Sequence, residues 1–363
     1  MKRLILTTGG TGGHIFPALA VAESVRALAP DCELLFVGGE RGPEGEWARK
    51  AGIPFVALPA QGVLGRGLKS AATALWLGRS LFKSWRLLRE FKPDVVLGLG
   101  GYAGFSCPLA ASLTGVATAI HEQNSVPGVT NRVLARRVDR VMVSFPGMED
   151  PLFGEAKAVL TGNPVRAEIR ALREERRMPT RNILIVGGSQ GASALNGFVV
   201  RELDRLKVLG LGIWHQTGKD GYDAIRAVYA EKYPEARVEP FISDMHAAYR
   251  FADLVICRAG ATTIAELTVA GKPSILVPYP YATHDHQLKN ARSLEKVGAA
   301  LVIQQRQLDE LNLSSVVGDL FQMPDNLGRM ARAAREAGIP DAGERVVAQL
   351  QELASSRTRR DRR

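Results

Sequence analysis

The chain has 363 residues, too many for one hydrophobic core of ordinary size, and its 46% hydrophobic and 23% charged content is typical of a folded globular protein. Its three cysteines, Cys32, Cys107 and Cys257, lack metal-ligand spacing and indicate reduced thiols rather than a disulfide framework. The sequence contains no run of about 18 uninterrupted apolar residues to span a bilayer, and its N-terminal apolar run is too short for a signal peptide.

The net charge of +10 is concentrated in two segments of the chain. Residues 64–92 include seven basic residues and one acid, and residues 355–363 include five arginines and one aspartate. The rest of the chain is neutral overall, so the excess indicates a localised docking surface for an anionic partner. We expect no nucleic-acid partner, because neither a recognition helix nor a stacking sheet is apparent.

Short apolar runs alternate with helical patterns in both halves of the chain. The predicted strands are 4–8, 34–37, 95–99, 117–121, 140–144 and 159–161, then 182–186, 212–216, 238–241, 254–257, 274–277 and 300–303. Runs that are apolar on both sides are typical of parallel strands covered by helices. The pattern predicts an α/β protein of two Rossmann-like domains, each a doubly wound parallel sheet.

A charged, proline-containing stretch after residue 163 marks the predicted boundary between these domains. We predict an N-terminal domain over 1–163 and a C-terminal domain over 164–340. A periodic apolar set predicts a helix over 341–355, which we expect to join the first domain, and residues 356–363 form a basic tail.

Three predicted strands run into glycine-rich turns, at 9–13, 98–104 and 187–191. Glycine permits positive φ, and the N–H groups at the start of a following helix suit a phosphate. None of the turns is a Walker-type P-loop, since no Lys-Ser/Thr pair follows. A dehydrogenase is also disfavoured, since no acidic residue lies at the end of the second strand to bind the adenosine ribose. Each turn alone fits a tight strand–helix connection equally well, but three of them favour a phosphate-bearing ligand.

Polar side chains follow several predicted strands. His14 comes directly after the first glycine turn, where a neutral imidazole can accept a proton. Glu122 lies at the end of another strand, with a capped turn as the alternative interpretation. Glu266 falls about two turns into a predicted helix, where a carboxylate can accept hydrogen bonds from both ribose hydroxyls, and an exposed helix acid is the alternative.

A second polar cluster comprises His284, Asp285, His286 and Gln287. Two histidines and an aspartate suggest a metal site, but adjacent positions at a helix start close poorly on one ion. We therefore expect sugar-hydroxyl recognition there and no protein-bound metal.

The basic segment predicts one amphipathic helix over 68–92. Leu77, Leu81, Trp85, Leu88 and Phe91 share the face expected to pack on the domain. The other face predicts a membrane-binding patch, because apolar groups among cations suit anionic headgroups. Its members are Leu75, Trp76, Arg79, Phe82, Lys83 and Arg86. A solvated basic face is the alternative interpretation.

A series of motifs in fixed order covers nearly the whole chain. They lie at 9–18, 98–102, 121–124 with Gly128 and Asn131, 161–166, 187–192, 241–245, 258–266 and 285–290. Together they resemble the MurG family, bacterial enzymes that transfer N-acetylglucosamine (GlcNAc) from UDP-GlcNAc to a lipid-linked N-acetylmuramoyl-pentapeptide (lipid I). The resemblance implies the GT-B fold, with the active site in the cleft between two Rossmann-like domains.

The resemblance also implies roles for individual residues. UDP-GlcNAc would be bound mainly by the C-terminal domain: Ser189 at the diphosphate, Ile242 at the uracil, Glu266 at the ribose, and His286, Gln287 and Asn290 near the sugar. The remaining donor contacts are expected from Thr11, Gly12, Gly13, Asn124, Arg166, Ala261, Thr262 and Thr263. The acceptor diphosphate would meet loops containing Gly12, Gly13, His14, Gly100, Gly101 and Tyr102.

An α-linked donor and a β-linked product require inversion, so the resemblance implies direct attack of the acceptor 4-hydroxyl on the anomeric carbon. We take His14 as the first candidate for the general base and Glu122 as the second. No cofactor is expected, and the sequence has no Asp-x-Asp motif.

The expected setting is peptidoglycan synthesis at the cytoplasmic side of the bacterial inner membrane. The enzyme would be peripheral there, with an anionic membrane surface and other cell-wall and division proteins as partners. The alternative function is a UDP-sugar transferase or epimerase acting on a soluble substrate.

Overall fold

In a computed structural model of the chain, the structure describes residues 1–59, 71–101, 103–148, 158–175, 178–188, 191–323 and 325–360. They form two compact units: unit 1 comprises Met1–Arg166 with Pro340–Arg363, and unit 2 comprises Ala167–Ile339. The observed boundary therefore lies three residues beyond the predicted one, and Arg166 belongs to unit 1 rather than to the C-terminal domain.

The described part of unit 1 contains a seven-stranded parallel sheet in the order β3-β2-β1-β4-β5-β6-β7. The strands are β1 (Arg3–Thr7), β2 (Glu33–Gly39), β3 (Phe55–Leu58), β4 (Val95–Gly98), β5 (Ala117–Glu122), β6 (Arg140–Val143) and β7 (Ala158–Leu160). The helices are α1 (Gly12–Leu28), α2 (Glu44–Lys50), α3 (Ala71–Phe91), α4 (Ala103–Leu113), α5 (Val129–Ala135) and, from the C-terminal segment, α15 (Ala342–Arg360).

The described part of unit 2 contains a six-stranded parallel sheet in the order β10-β9-β8-β11-β12-β13. The strands are β8 (Asn182–Val186), β9 (Gly212–Gln216), β10 (Arg237–Glu239), β11 (Leu254–Cys257), β12 (Ser274–Leu276) and β13 (Ala300–Val302). The helices are α6 (Ala167–Ala171), α7 (Ser193–Arg201), α8 (Leu203–Val208), α9 (Tyr222–Lys232), α10 (Met245–Phe251), α11 (Ala261–Ala270), α12 (His286–Lys296), α13 (Leu313–Gln322) and α14 (Asn326–Ala337). Short 3-10 turns lie at Thr283–Asp285 and Gln305–Gln307.

Each sheet reverses its strand order at one place, between β1 and β4 in unit 1 and between β8 and β11 in unit 2. In open α/β sheets, ligands bind beyond the carboxyl ends of the strands at such a reversal. All three predicted glycine turns lie at these two places, because they follow β1, β4 and β8.

The central strands are apolar on both sides because helices cover both faces of the sheet. In β1, Leu4 and Leu6 belong to a core cluster with Val346 and Leu350 of α15, whereas Ile5 belongs to a second cluster that includes Leu88 of α3. Successive side chains of a strand point to opposite faces. The alternation explains how α15, distant in sequence, completes the core of unit 1.

Strand β3 was not predicted from the sequence. It is a four-residue strand at the edge of its sheet, preceded by Pro54 and followed by Pro59, and only its last residue, Leu58, is fully buried. Proline is confined to such edges in sheets because it donates no ladder hydrogen bond.

Helix α3 ends one residue before its predicted end. Its packed face includes the predicted Leu81, Leu88 and Phe91 but also contains serines that were not predicted. The helix runs over Ala71–Phe91 instead of 68–92, since Lys92 has a φ of +49° and residues 68–70 lie outside the described part of the chain. Ser80 and Ser84 are the most buried of its side chains over residues 75–91, and the Ser80 hydroxyl lies 2.7 Å from that of Ser106 in α4. The small serines let α3 approach α4 closely, which the apolar periodicity alone did not reveal.

Helix α15 is longer than its prediction over 341–355. It extends to Arg360, so the segment 356–363 does not begin as a separate tail, and residues 361–363 lie outside the described residues. Among the described helices, none combines the length and apolarity that crossing a membrane requires.

Candidate functional site

The first turn of α1 carries His14 at the strand-order reversal of unit 1. Thr11 is the N-cap residue and is exposed, and Gly12, Gly13 and His14 form the first three helical positions, each half-buried. Gly100, in the turn after β4, has a φ of +90°, and a Cβ there would lie 3.0 Å from the His14 ring. The two glycine turns of unit 1 therefore meet around this imidazole.

The end of β5 supplies a hydrogen-bonded chain that reaches His14. His121 is fully buried, and its Nε2 lies 2.9 Å from the Gly162 carbonyl oxygen. Gln123 is also buried, and its Nε2 lies 3.2 Å from His121 Nδ1 and 3.0 Å from the Leu99 carbonyl oxygen. The Gln123 Oε1 lies 3.0 Å from His14 Nδ1. Burial lowers the pKa of His121 from 6.5 to about 4, so this imidazole is neutral at physiological pH.

Glu122 points into a different environment although it adjoins these residues. Its Oε1 accepts hydrogen bonds from the main-chain and side-chain nitrogens of Asn124, at 3.0 and 3.3 Å. Its Oε2 accepts from the Gly128 nitrogen at 3.0 Å and from Asn131 Nδ2 at 2.8 Å. A buried carboxylate with four N–H donors anchors the turn after β5, and this geometry favours His14 over Glu122 as the base.

Glu44 is a buried residue of this region that the sequence did not single out. Its Oε1 accepts a hydrogen bond of 2.7 Å from the Gly10 nitrogen, and its side chain is almost fully buried. The Gly10 N–H therefore donates to Glu44 and is not available to a ligand. An anion at this turn would instead be bound by the N–H groups at the start of α1.

Arg166 packs against the same helix. Its guanidinium lies 4.6 Å from the centre of the Phe16 ring, and that ring packs edge-on against Trp47 at 5.0 Å. A Cβ on Gly12 would lie 2.8 Å from Phe16, so glycine at this predicted binding position also makes room for the aromatic ring. Of the other predicted unit 1 residues, Gly101 has a φ of +77° in the turn after β4, and Tyr102 lies outside the described residues.

In unit 2, the turn after β8 is tied to the main chain at Ile242. Gly191 has a φ of +75°, and a Cβ there would lie 2.7 Å from the Thr217 carbonyl oxygen. Gln216 donates from Nε2 to the Gly188 carbonyl oxygen at 3.1 Å and accepts from the Ile242 nitrogen at 2.9 Å. The Ile242 N–H is therefore already hydrogen-bonded within unit 2. The predicted diphosphate residue Ser189 lies outside the described residues.

Helix α11 begins directly beyond β11, and its first three residues are the predicted Ala261, Thr262 and Thr263. Glu266 follows on the same helix and is 6% exposed, which excludes the exposed-acid alternative. Its Oε2 accepts a hydrogen bond of 2.9 Å from the hydroxyl of Tyr249, a buried residue of α10. Sequence reasoning missed Tyr249, since nothing in its surroundings separates it from an ordinary core aromatic.

Gln287 and Asn290 bind the loops around the start of α12. Gln287 Oε1 accepts from the Tyr279 nitrogen at 3.0 Å and from the Ala259 nitrogen at 3.3 Å. Asn290 Nδ2 donates to the Ala259 carbonyl oxygen at 3.3 Å. These side chains hold the turns after β11 and β12 together, which places both turns beside the N-terminus of α11.

His284 and Asp285 both have a φ of +55°, a conformation that costs energy for residues other than glycine. The half-buried His286 donates from Nδ1 to the Thr283 carbonyl oxygen at 2.9 Å. Within the described ranges, no group of three or more His, Cys, Asp or Glu residues is placed to hold a metal ion.

The predicted membrane patch of α3 is largely exposed. Leu75 and Phe82 are 67% and 63% exposed, Arg79 is exposed, and Trp76 is half-buried. Lys83 pairs with Glu40 at 3.1 Å and Arg86 with Glu90 at 2.6 Å, both on the surface. Such exposed pairs contribute little stability, so both cations can exchange their partners at small cost.

Comparisons with known proteins cover both units. Residues 4–143 match the glycosyltransferase family 28 N-terminal domain, and residues 182–346 match the glycosyltransferase family 28 C-terminal domain. The chain is 51% identical to the UDP-N-acetylglucosamine–N-acetylmuramyl-(pentapeptide) pyrophosphoryl-undecaprenol N-acetylglucosamine transferase of Nitratidesulfovibrio vulgaris, covering 99% of this chain and 100% of the relative. It is 43% identical to the transferase of the same name from Methylococcus capsulatus, covering 95% and 97%.

Among solved structures, the crystal structure of MurG from Acinetobacter baumannii matches with a TM-score of 0.73 and 36% identity, covering 97% of this chain and 100% of that one. A putative UDP-N-acetylglucosamine 2-epimerase from Listeria monocytogenes matches with a TM-score of 0.71 at 16% identity, covering 96% of each chain, which shows a shared fold alone. The protein is therefore a glycosyltransferase with the GT-B fold, and the chain belongs to the MurG family of family 28 glycosyltransferases.

Proposed function

We propose that the protein transfers GlcNAc from UDP-GlcNAc to the 4-hydroxyl of N-acetylmuramic acid in undecaprenyl-diphospho-N-acetylmuramoyl-pentapeptide (lipid I), with inversion at the anomeric carbon. The observation that carries the proposal is 51% identity over 99% of the chain to a relative named for this transfer. The fold alone would not support it, because an epimerase shares that fold at 16% identity.

The donor is held by unit 2. The carboxylate of Glu266, oriented by Tyr249, accepts hydrogen bonds from the ribose, and the Ile242 carbonyl accepts one from the uracil. The starts of α7 and α11 present main-chain N–H groups and partial positive charge to the diphosphate. Gln287 and His286 lie at the start of α12, where the sugar hydroxyls are recognised.

The acceptor is activated by unit 1. His14 removes the proton of the acceptor 4-hydroxyl while that oxygen bonds to the anomeric carbon. The bond between the anomeric carbon and UDP breaks in the same step, and UDP leaves with the bonding electrons. General base help of this kind is typically worth about 10²–10⁴-fold in rate. Glu122 is the weaker candidate, because four N–H donors already occupy its carboxylate oxygens.

Departure of UDP is assisted by fixed positive groups rather than by a protein-bound metal. N–H dipoles at the start of a helix stabilise the negative charge that develops on the leaving diphosphate. Arg166 supplies a further positive charge from its position on Phe16.

The enzyme works as a peripheral protein at the cytoplasmic side of the inner membrane. The exposed Leu75 and Phe82 on α3 lie on the same helix as Arg79, Lys83 and Arg86. Each basic residue near an anionic surface contributes about 1 kcal/mol to binding, and apolar side chains add more when they are buried among the lipids. A lipid-linked acceptor lies in the membrane, so the enzyme must bind the membrane surface to reach it.

The deciding experiment incubates the purified chain with radiolabelled UDP-GlcNAc and a lipid I analogue in anionic vesicles. We expect a labelled lipid product that carries a β-linked GlcNAc. A soluble acceptor without the lipid, and donor alone analysed for epimerised sugar, serve as parallel reactions. Transfer to the soluble acceptor only, or epimerisation of the donor, would support the alternative function instead.

A further inference from the structure

We propose that Gln123 is a positioning residue that holds the His14 imidazole in the tautomer with the proton on Nδ1, which leaves Nε2 as the proton acceptor. This inference rests on the proposed role of His14 as the base. The hydrogen bonds that determine the tautomer run outward from the interior of unit 1.

The first link is His121, whose protons are determined by its surroundings. A neutral imidazole carries one N–H, and its partner at Nε2 is the Gly162 carbonyl oxygen, 2.9 Å away, which can only accept. The proton of His121 therefore lies on Nε2. Its Nδ1 is a bare acceptor.

The second link is the amide of Gln123, which has two donors on one side and an acceptor on the other. One side faces two acceptors, His121 Nδ1 at 3.2 Å and the Leu99 carbonyl oxygen at 3.0 Å. Only the NH₂ group satisfies both, since a flipped amide would place its oxygen against two lone pairs in the interior. The Gln123 Oε1 must consequently face His14.

The third link is His14 itself. Its Nδ1 lies 3.0 Å from an oxygen that can only accept, so Nδ1 carries the proton and Nε2 carries the lone pair. Glycine at position 100 leaves room for the ring in this orientation, because a Cβ there would lie only 3.0 Å from Nδ1 and Cε1. The buried chain from Gly162 to Gln123 thus determines which nitrogen can act as base.

The arrangement is comparable in logic to the orienting carboxylate of a Ser-His-Asp triad, with a neutral amide in place of the charge. In a serine protease, replacing the triad aspartate by asparagine gives the wrong histidine tautomer and lowers kcat about 10⁴-fold. A neutral amide stabilises the charged imidazolium less than a carboxylate, so we expect a smaller loss here, roughly 10- to 10³-fold.

The test is nitrogen NMR of the full chain labelled with ¹⁵N-histidine, combined with transfer kinetics. Two-bond nitrogen–proton correlations distinguish the Nδ1–H from the Nε2–H tautomer, and the His14→Ala spectrum identifies the His14 signals among the six histidines. We expect Nδ1–H for His14 in the wild type. In Gln123→Met, which keeps the volume and removes every hydrogen bond, we expect Nε2–H to appear and kcat to fall with KM for UDP-GlcNAc within twofold.

Two further variants separate positioning from folding. Gln123→Glu keeps an oxygen acceptor toward His14, while its second oxygen faces the acceptors His121 Nδ1 and the Leu99 carbonyl oxygen and must carry a proton to donate there. In this protonated form it should retain the Nδ1–H tautomer of His14 and more of kcat than Gln123→Met. Gln349→Met makes the same chemical change elsewhere in unit 1, where Gln349 accepts from Arg140, and should alter neither the tautomer nor kcat.

The inference is overturned by an Nε2–H tautomer of His14 in the wild type, a result that needs no variant to fold. It is also overturned by wild-type kcat or an unchanged tautomer in Gln123→Met. Failure of the proposed function looks different, since the wild type would then transfer no GlcNAc. Failure of the base assignment would appear as an undiminished rate in His14→Ala.

Discussion

Units 1 and 2 each have a strand-order reversal in their sheet, and each contains one buried, neutral histidine that is hydrogen-bonded to a side-chain amide. In unit 2, His215 Nε2 lies 3.1 Å from Asn196 Oδ1, and its Nδ1 lies 2.9 Å from the Tyr229 hydroxyl. Asn196 Nδ2 donates to the Thr217 carbonyl oxygen at 2.8 Å, so Asn196 Oδ1 faces the imidazole as an acceptor. Burial lowers the pKa of His215 to about 3, much as it lowers the pKa of His121 to about 4.

The difference between the two networks lies in where each ends. The network of His215 ends among buried groups, since Asn196, Thr217 and Tyr229 are all at most 3% exposed. The network of His121 passes through Gln123, one residue beyond β5, to the half-buried His14. The same hydrogen-bond chemistry therefore supports packing in unit 2 and reaches a candidate reactive group in unit 1.

The largest expected effect is that of His14→Ala, which removes the end of the unit 1 network. Loss of a general base should lower kcat about 10²–10⁴-fold, with KM for UDP-GlcNAc changed less than twofold. Steady-state transfer kinetics measure both constants. His246→Ala in unit 2 is the matched control and should transfer at the wild-type rate, whereas equal rates in both variants would contradict the base assignment.

The second prediction concerns Glu266 in unit 2. Glu266→Ala should lower kcat/KM for UDP-GlcNAc roughly 10- to 150-fold for each ribose hydrogen bond lost, because a hydrogen bond to a charged group contributes about 1.5–3 kcal/mol. Tyr249→Phe removes only the hydroxyl that orients Glu266 and should cause a smaller loss in the same direction. Calorimetric titration with UDP should show the same ranking, and undiminished UDP affinity in Glu266→Ala would exclude it from the donor site.

The third prediction compares the two buried histidines through the pH dependence of stability. Unfolded histidine takes up a proton near pH 6.5, but folded His121 and His215 do so only near 4 and 3, so the unfolded state binds more protons in this window. Stability should fall as pH drops from 6.5, and at pH 5.0 each histidine should cost roughly 2 kcal/mol.

Urea unfolding at pH 7.5 and pH 5.0 measures this loss. Equal free energies of unfolding at both pH values would show that the two imidazoles are not held neutral.

The smallest expected effect tests whether membrane binding belongs to unit 1. Phe82→Asp should weaken binding to anionic vesicles, measured by sedimentation, about 10-fold or more. It removes an apolar side chain that would be buried among the lipids and adds a negative charge that the anionic surface repels. Val208→Asp changes a still more exposed apolar residue, in unit 2, and should have no such effect. Equal weakening by both substitutions would argue against a specific patch on α3.

Much of the fold was predictable because buried parallel strands are continuous apolar runs. All the central strands were predicted to within one or two residues, whereas β3, a short edge strand beside two prolines, was not. In α3 the periodicity placed large apolar residues on the packed face, but it did not reveal that Ser80 and Ser84 are buried there or that Ser80 contacts Ser106 of α4. Edges and small residues are decided by neighbouring elements, which a local pattern does not contain.

The sequence singled out His14 directly after the turn that follows β1 and Glu266 on the helix after β11, and the structure shows His14 half-buried and Glu266 buried. Their roles in catalysis and donor binding stay predictions. Tyr249, Glu44 and the amide orientations of Gln123 and Gln216 were not found. Each acts through a partner at least 17 residues away in the chain, as in the hydrogen bond from Tyr249 to Glu266.

The sequence by itself determined the strand and helix types, the two-unit organisation and the family, because apolar periodicity and motif order are local properties. Only the tertiary structure decided which polar atoms meet. Gly162, His121, Leu99, Gln123 and His14 come from two strand ends, the turn after β7 and a helix start, and only their packing brings them within hydrogen-bond distance. A hydrogen bond depends on separations of tenths of an ångström, and spacing along the chain carries no such information.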